Sequence, residues 1–183
     1  MIVIGVDPGA GGAFAVYDGV SSALLSVEDT PHWFEKVGKT QRKRVDIPGL
    51  LDALGTVQLL CGAEALVTEK VNGWGGQGAS GAFEFGWAAA AVYTSALALG
   101  LQVVVTPPAE WKFHMKVPGK RASVKNAGVT KKQIDAQIVK RADDLFPGHH
   151  AEWRGPKGGL RLDRAEAAML ARYGAESLSG RFR

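Results

Sequence analysis

The sequence contains little that would suit a secreted or membrane-spanning protein. Cys61 is the single cysteine in 183 residues, so no disulfide can form within the chain. No apolar run reaches the ~18 residues that a membrane span requires. The first residues, Met-Ile-Val-Ile-Gly, lack the basic segment and the small-residue cleavage site of a secretion signal. We therefore expect a cytoplasmic protein with no membrane partner.

Positive charge is scarce in the first half of the chain and abundant in the second. Residues 1–100 carry 6 Lys and Arg against 10 Asp and Glu, a net charge of −4, whereas residues 101–183 carry 16 against 8, a net charge of +8. A basic region of this kind is typical of a protein that binds a polyanion, but solvated helix faces produce such a bias about as often. Charge alone therefore leaves both interpretations open.

Hydrophobic patterning predicts one mixed α/β domain over residues 1–183. Short apolar runs predict five strands, and segments with helical spacing predict four helices in the order βββαβαβαα. We expect a mixed five-stranded sheet flanked by helices. Residues 28–46, which include the basic run from Lys39 to Arg44, and residues 109–128 are expected to be irregular. The helix expected at 80–99 should turn one side to the core, comprising Phe83, Trp87, Ala90, Ala91 and Thr94.

Four acidic residues occupy positions that would bring their carboxylates together. Asp7 follows the first strand and Glu69 ends the fourth, so parallel neighbouring strands would place both at one edge of the sheet. Asp163 and Glu166 are three residues apart and project from one side of the last helix. Each acid alone has an ordinary explanation, such as a turn for Asp7 or a helix cap for Asp163. Four adjacent carboxylates need a cation, and their oxygens suit Mg²⁺, with Mn²⁺ as a substitute.

Basic and aromatic residues follow in two segments. Seven cations fall within 21 residues, where they would bind phosphates without reading sequence: Lys112, Lys116, Lys120, Arg121, Lys125, Lys131 and Lys132. Trp74 stands among glycines five residues after Glu69. It would either stack on an unpaired base or fold back over the core.

Three motifs in this order resemble those of RuvC-type Holliday-junction resolvases: IGVDPG at 4–9, VTEKV at 67–71 and LDRAEAA at 162–168. The resemblance spans nearly the whole chain. It implies an RNase H-like fold, a homodimer, Mg²⁺ dependence and symmetric nicking of four-way DNA junctions. The last acid of the family is commonly Asp, whereas this chain has Glu166.

The same resemblance implies roles for individual residues. Asp7 would bridge two metal ions, Glu69 would hold one of them, and Asp163 with Glu166 would hold the other. Lys112 and Lys131 would be the active-site lysines, with Lys132 as the alternative to Lys131. Trp74 would contact bases at the centre of the junction.

Other functions remain open at this point. A nuclease of the same fold would act on other branched or RNA-containing substrates. An actin-like ATPase or sugar kinase also begins with an aspartate after a strand, but this chain has no second glycine-rich phosphate loop after a later strand. A silent nucleic-acid-binding module would leave the four acids unexplained. For a homodimer, the alanine-rich helix at 80–99 is a candidate interface, beside the first helix and the C-terminal tail.

Overall fold

The computed structural model describes residues 1–72, 78–118 and 130–180. Seven strands are present within these ranges: β1 (Ile2–Asp7), β2 (Ala13–Asp18), β3 (Ala23–Asp29), β4 (His32–Val37), β5 (Thr40–Val45), β6 (Ala63–Glu69) and β7 (Gln102–Thr106). The helices described are α1 (Ile47–Cys61), α2 (Ala79–Ala98), α3 (Pro108–His114), α4 (Lys131–Leu145) and α5 (Leu162–Leu178). None of these helices is long and apolar enough to cross a bilayer.

Five strands form the predicted mixed sheet. The strand order is β3-β2-β1-β6-β7, with β1, β2 and β3 antiparallel and β1, β6 and β7 parallel. Alternating side chains of β1 face opposite sides of the sheet, where Val3 joins the core under α4 and α5, and Ile4 joins the core under α1 and α2. The mixed sheet with helices on both faces confirms the predicted fold class.

Helix ends follow local chemistry that the sequence carries. Asp46 caps α1 by accepting a hydrogen bond from Gly49 N, and Gly62 ends that helix in a left-handed conformation. Thr130 and Gln133 form a reciprocal capping box at the start of α4. These caps fix both ends of α1 and the start of α4, and each of them is a local signal in the sequence.

The prediction that residues 28–46 are irregular was wrong. They complete β3 and then form a separate two-stranded sheet, β4 with β5, closed by the turn at Gly38-Lys39 with Gly38 at a positive φ of 62°. Most side chains of this hairpin are exposed on both sides. The hairpin therefore lacks the apolar alternation that reveals a half-buried strand.

Two further expectations were wrong, the first only for the start of segment 109–128, since residues 119–128 lie outside the described residues. Residues 108–114 form the short helix α3, which begins with Pro108 and is too short to show a period. The core-facing side of α2 comprises Ala88, Ala91, Val92, Ser95 and Ala96. Of the five residues expected there, only Ala91 is buried, and Phe83 and Trp87 are 62% and 47% exposed.

Candidate active site

The register of two parallel strands places Asp7 beside Glu69. Val6 of β1 pairs with Thr68 of β6, so the next residue of each strand lies at the same carboxyl edge of the sheet. Thr68 Oγ1 donates a hydrogen bond to Val6 O at 3.0 Å, which ties the two strand ends together. The expected proximity of the first two acids is therefore a consequence of the sheet topology.

Helix α5 brings the other two acids to this edge because it lies close against β1. A side chain at Gly5 would overlap with the backbone of Ala167 and Ala171, so only glycine permits the observed approach. The first turns of α5 carry Asp163, which is exposed, and Glu166, which is buried. The two sides of the site are thus joined by direct backbone packing.

Helix α3 contributes a cation and a hydrogen-bond donor from a third direction. Lys112 Nζ lies 3.0 Å from Glu166 Oε1 and 3.8 Å from Glu69 Oε1, and its side chain is buried. Trp111 Nε1 donates to Glu69 Oε1 at 3.1 Å. The contribution of Trp111 was missed from the sequence. Its position soon after β7 was the available signal, because β7 is parallel to β6 and ends at the same edge.

Burial and three acidic neighbours both disfavour the charged form of Asp7. Burial raises the pKa of the Asp7 carboxyl well above its usual value, and the negative charges of Glu166, Asp163 and Glu69 raise it further, as does a hydrogen bond with Asp163. All three other acids are therefore close enough to Asp7 to act on its carboxyl. A cation among them would relieve the repulsion and restore the charged form.

The donor set therefore has the chemistry that a hard divalent cation requires, with four carboxylates from β1, β6 and α5. As the side chains stand, no three His, Cys, Asp or Glu residues in the described ranges are grouped to hold a metal ion. The ammonium group of Lys112 contacts both Glu69 and Glu166 and offsets one of their two negative charges. The residues fit a metal site in composition, with a lysine in the position of the cation.

The structure separates the remaining predicted residues into two groups. Lys116, Lys131 and Lys132 are exposed and form no ion pair with a carboxylate among the described residues. The roles expected for Trp74, Lys120, Arg121 and Lys125 concern positions outside the described residues.

A polar cleft of about 290 Å³ opens beside Asp163. Its walls come from the loop after β1, the end of β3, the hairpin and the start of α5, and include Gly11, Asp29, His32, Lys43, Arg161, Asp163 and Arg164. Asp29, which lines the cleft, accepts hydrogen bonds from Arg164 and Arg161 and is thereby neutralised. Sequence reasoning missed His32 and Lys43, because it treated their segment as irregular.

The fold is similar to that of solved Holliday junction resolvases. The structure of T. thermophilus RuvC in complex with Holliday junction substrate is 16% identical in sequence to this chain. The alignment covers 98% of this chain and 96% of the RuvC chain, with a TM-score of 0.60. The yeast mitochondrial Holliday junction resolvase Ydc2 is 15% identical. Its alignment covers 99% of this chain and 82% of the Ydc2 chain, with a TM-score of 0.51. No protein-family model and no curated protein matches the sequence. The chain thus has the RNase H-like fold of these resolvases.

Proposed function

We propose that residues 1–183 form a single nuclease domain, a divalent-metal-dependent endonuclease that resolves four-way DNA junctions. One observation carries the proposal. In an RNase H-like fold, the ends of two parallel strands and the start of α5 bring four carboxylates to one edge, beside a buried lysine. This arrangement suits phosphodiester hydrolysis better than nucleotide-dependent phosphotransfer, which would leave Glu69 and the Asp163/Glu166 pair unexplained.

The four carboxylates are the residues that would hold the metal, which we propose to be Mg²⁺, with Mn²⁺ as a substitute. Asp7 lies under the influence of all three other acids, as expected of a residue shared between two ions. When bound, such ions supply an activated water and stabilise the leaving oxygen of a phosphodiester. Trp111 holds the Glu69 carboxylate in place through its indole N–H.

Lys112 has two roles in this proposal. Without metal, it keeps Glu69 and Glu166 together at the edge of the sheet by attracting both carboxylates and offsetting part of their charge. With substrate present, its ammonium is available to stabilise negative charge on the phosphate that is cut. Lys131 is proposed as the second active-site lysine, with Lys132 as its alternative, because both lie in the first turn of the helix that packs against α5.

Branched DNA is the proposed substrate. T. thermophilus RuvC, which has this fold, has been solved in complex with Holliday junction substrate. In this chain, the net charge of +8 over residues 101–183 supports binding to a polyanion. The proposed DNA contacts also include Lys116, Lys120, Arg121, Lys125 and Trp74, the last by stacking on an unpaired base.

A homodimer is proposed because a symmetric cut of two strands needs two copies of one carboxylate cluster. The proposed dimer interface is the solvent-exposed side of α2. Phe83, Trp87, Ala90 and Leu97 follow a helical spacing and are exposed, opposite to the side that packs on the sheet. A stripe of apolar side chains on an isolated chain is typical of an interface.

A labelled four-way junction and a linear duplex of the same sequence, each with and without Mg²⁺, provide the test. We expect paired nicks in the junction, only with Mg²⁺, and little cutting of the duplex. Cutting of RNA-containing or other branched substrates in preference to the junction would replace the proposed substrate. Absence of metal-dependent cutting on every nucleic acid would refute the nuclease proposal.

A further inference from the structure

The two sides of the β4–β5 hairpin have different surroundings. Residues directly opposite each other in an antiparallel pair share a face, and neighbours along a strand alternate between faces. The register therefore assigns Trp33, Glu35, Arg42 and Arg44 to one face and His32, Phe34, Lys36, Gln41 and Lys43 to the other. We call these the inner face and the open face.

The inner face is attached to the domain. Arg44 forms ion pairs with Glu35 and with Glu84 of α2, and Arg42 donates a hydrogen bond to Ser80 Oγ at the start of α2. Trp33 lines a recess together with Phe83 and Trp87 of the same helix. These contacts fix the orientation of the hairpin and leave four residues of its other face exposed: Phe34, Lys36, Gln41 and Lys43.

The open face carries positive charge into the active-site cleft. Lys43 and His32 line the cleft that contains Asp163. Lys36 lies further along the same face, and Phe34, which is 56% exposed, stands opposite Lys43. Neither lysine forms an ion pair within the described part of the chain, in contrast to Arg44 on the inner face. An exposed aromatic ring between cations that form no close ion pair is typical of surfaces that follow a nucleic-acid backbone.

We propose that the open face of the hairpin binds the phosphate backbone of the DNA strand that enters the carboxylate site. Lys43 contacts a phosphate next to the one that is cut, and Lys36 contacts a phosphate further from the cleft. Charge complementarity and continuity with the cleft around Asp163 identify the occupant as a nucleic-acid strand. This inference rests on the proposed nuclease function and adds to it a DNA-binding surface outside the basic segment at 112–132.

Fluorescence anisotropy with a labelled four-way junction in EDTA measures this binding without cleavage. The double variant Lys36→Gln/Lys43→Gln should bind with a weaker salt dependence than the wild type. The magnitude of the negative slope of log K against log salt concentration should fall by about 1.4–1.8, at ~0.7–0.9 for each lost phosphate contact. Lys43→Gln alone should lower it by about half as much. Arg42→Gln is the matched control, because it removes one charge from the adjacent position on the inner face, and it should leave the slope unchanged.

The outcomes separate this inference from the proposed function. If wild-type protein cuts the junction with Mg²⁺ but the double variant keeps the wild-type slope, the hairpin inference is wrong and the nuclease proposal stands. If the double variant instead changes the sedimentation coefficient and not the slope, the open face contacts a second copy of the chain and not DNA. If wild-type protein neither binds nor cuts DNA, both proposals fail. Equal melting temperatures of all variants confirm that folding is intact.

Discussion

Lys112 Nζ lies 3.0 Å from Glu166 Oε1, and both side chains are almost fully buried. The pair joins α3 to α5, so the cation that holds the carboxylates together comes from an element that supplies none of them. A buried ion pair of this kind is costly to break from one side, because the remaining charge loses its partner without regaining water. The stability of the metal-free site therefore depends on Lys112.

Lys112→Met should lower the free energy of unfolding of the metal-free protein by about 3 kcal/mol. Mg²⁺ should then raise the melting temperature of the variant more than that of the wild type, because the ion no longer competes with the ammonium group. Lys140→Met is the control, since Lys140 forms an exposed pair with Asp144 on α4. Thermal melting with and without Mg²⁺ measures both effects. Identical behaviour of the two variants would reject the assigned role of Lys112.

Gly5→Ala should destabilise the protein by about 2–3 kcal/mol, because the added methyl group overlaps with the backbone of α5. The helix must shift, and Asp163 and Glu166 shift with it, so cleavage should slow by up to about 100-fold. Gly86→Ala on α2 is the control, because a methyl group there meets nothing. Gly86→Ala should be neutral or stabilise by roughly 0.4–1 kcal/mol. Urea unfolding and cleavage rates are measured for both variants. If Gly5→Ala changed neither stability nor cleavage rate, the packing of α5 on β1 would be contradicted.

Asp143 should make a pH-dependent contribution to stability. Hydrogen bonds from Arg154, Trp153 and His150 hold the pKa of the Asp143 carboxyl far below its usual value, Arg154 having the largest effect. A lowered folded pKa means that the stabilisation is complete above the unfolded pKa of about 3.9 and is lost as pH falls below it. Asp143→Asn should therefore cost about 2–3 kcal/mol at pH 7 and progressively less below pH ~4. A pH-independent difference in urea unfolding would exclude this carboxylate as the cause.

Trp87→Glu should raise the dissociation constant of the proposed dimer at least tenfold, because it places a charge in the apolar stripe of α2. Leu59→Glu on α1 is the matched control, since Leu59 is 85% exposed and lies on another helix. Sedimentation equilibrium at micromolar concentration compares both variants with the wild type. Dissociation by Leu59→Glu alone would move the interface to α1, and a wild type that stays monomeric on a junction would end the dimer proposal.

The sequence predicted where each of the four acids stands on its own strand or helix, because those placements are local. An acid that directly follows an apolar strand must lie at a sheet edge, and a spacing of three must place Asp163 and Glu166 on one side of a helix. The capping residues of α1 and α4 are likewise short-range signals. That the acids meet depends in addition on the pairing of β1 with β6 and on the packing of α5 against Gly5.

The errors arose where the outcome depends on distant partners. Phe83 and Trp87 do follow a helical spacing, but periodicity does not reveal whether an apolar stripe faces the core or solvent. The β4–β5 hairpin is attached to the domain through an ion pair between Arg44 and Glu84. These residues are far apart in the sequence, so local patterns do not predict the contact. Trp111 reaches Glu69 only because β7 lies beside β6.

The central claim is that the carboxylate cluster around Asp7 cuts DNA. Cleavage of a four-way junction in Mg²⁺ by the wild type and by Asp7→Asn tests it most directly, with junction binding in EDTA measured in parallel. We expect Asp7→Asn to slow cleavage by more than about 100-fold, since losing a ligand should exceed the 10–100-fold cost of losing an outer-shell partner. Binding should remain close to that of the wild type, because the substitution removes a negative charge and no phosphate contact. Cleavage by Asp7→Asn at the wild-type rate would contradict the assignment of the active site.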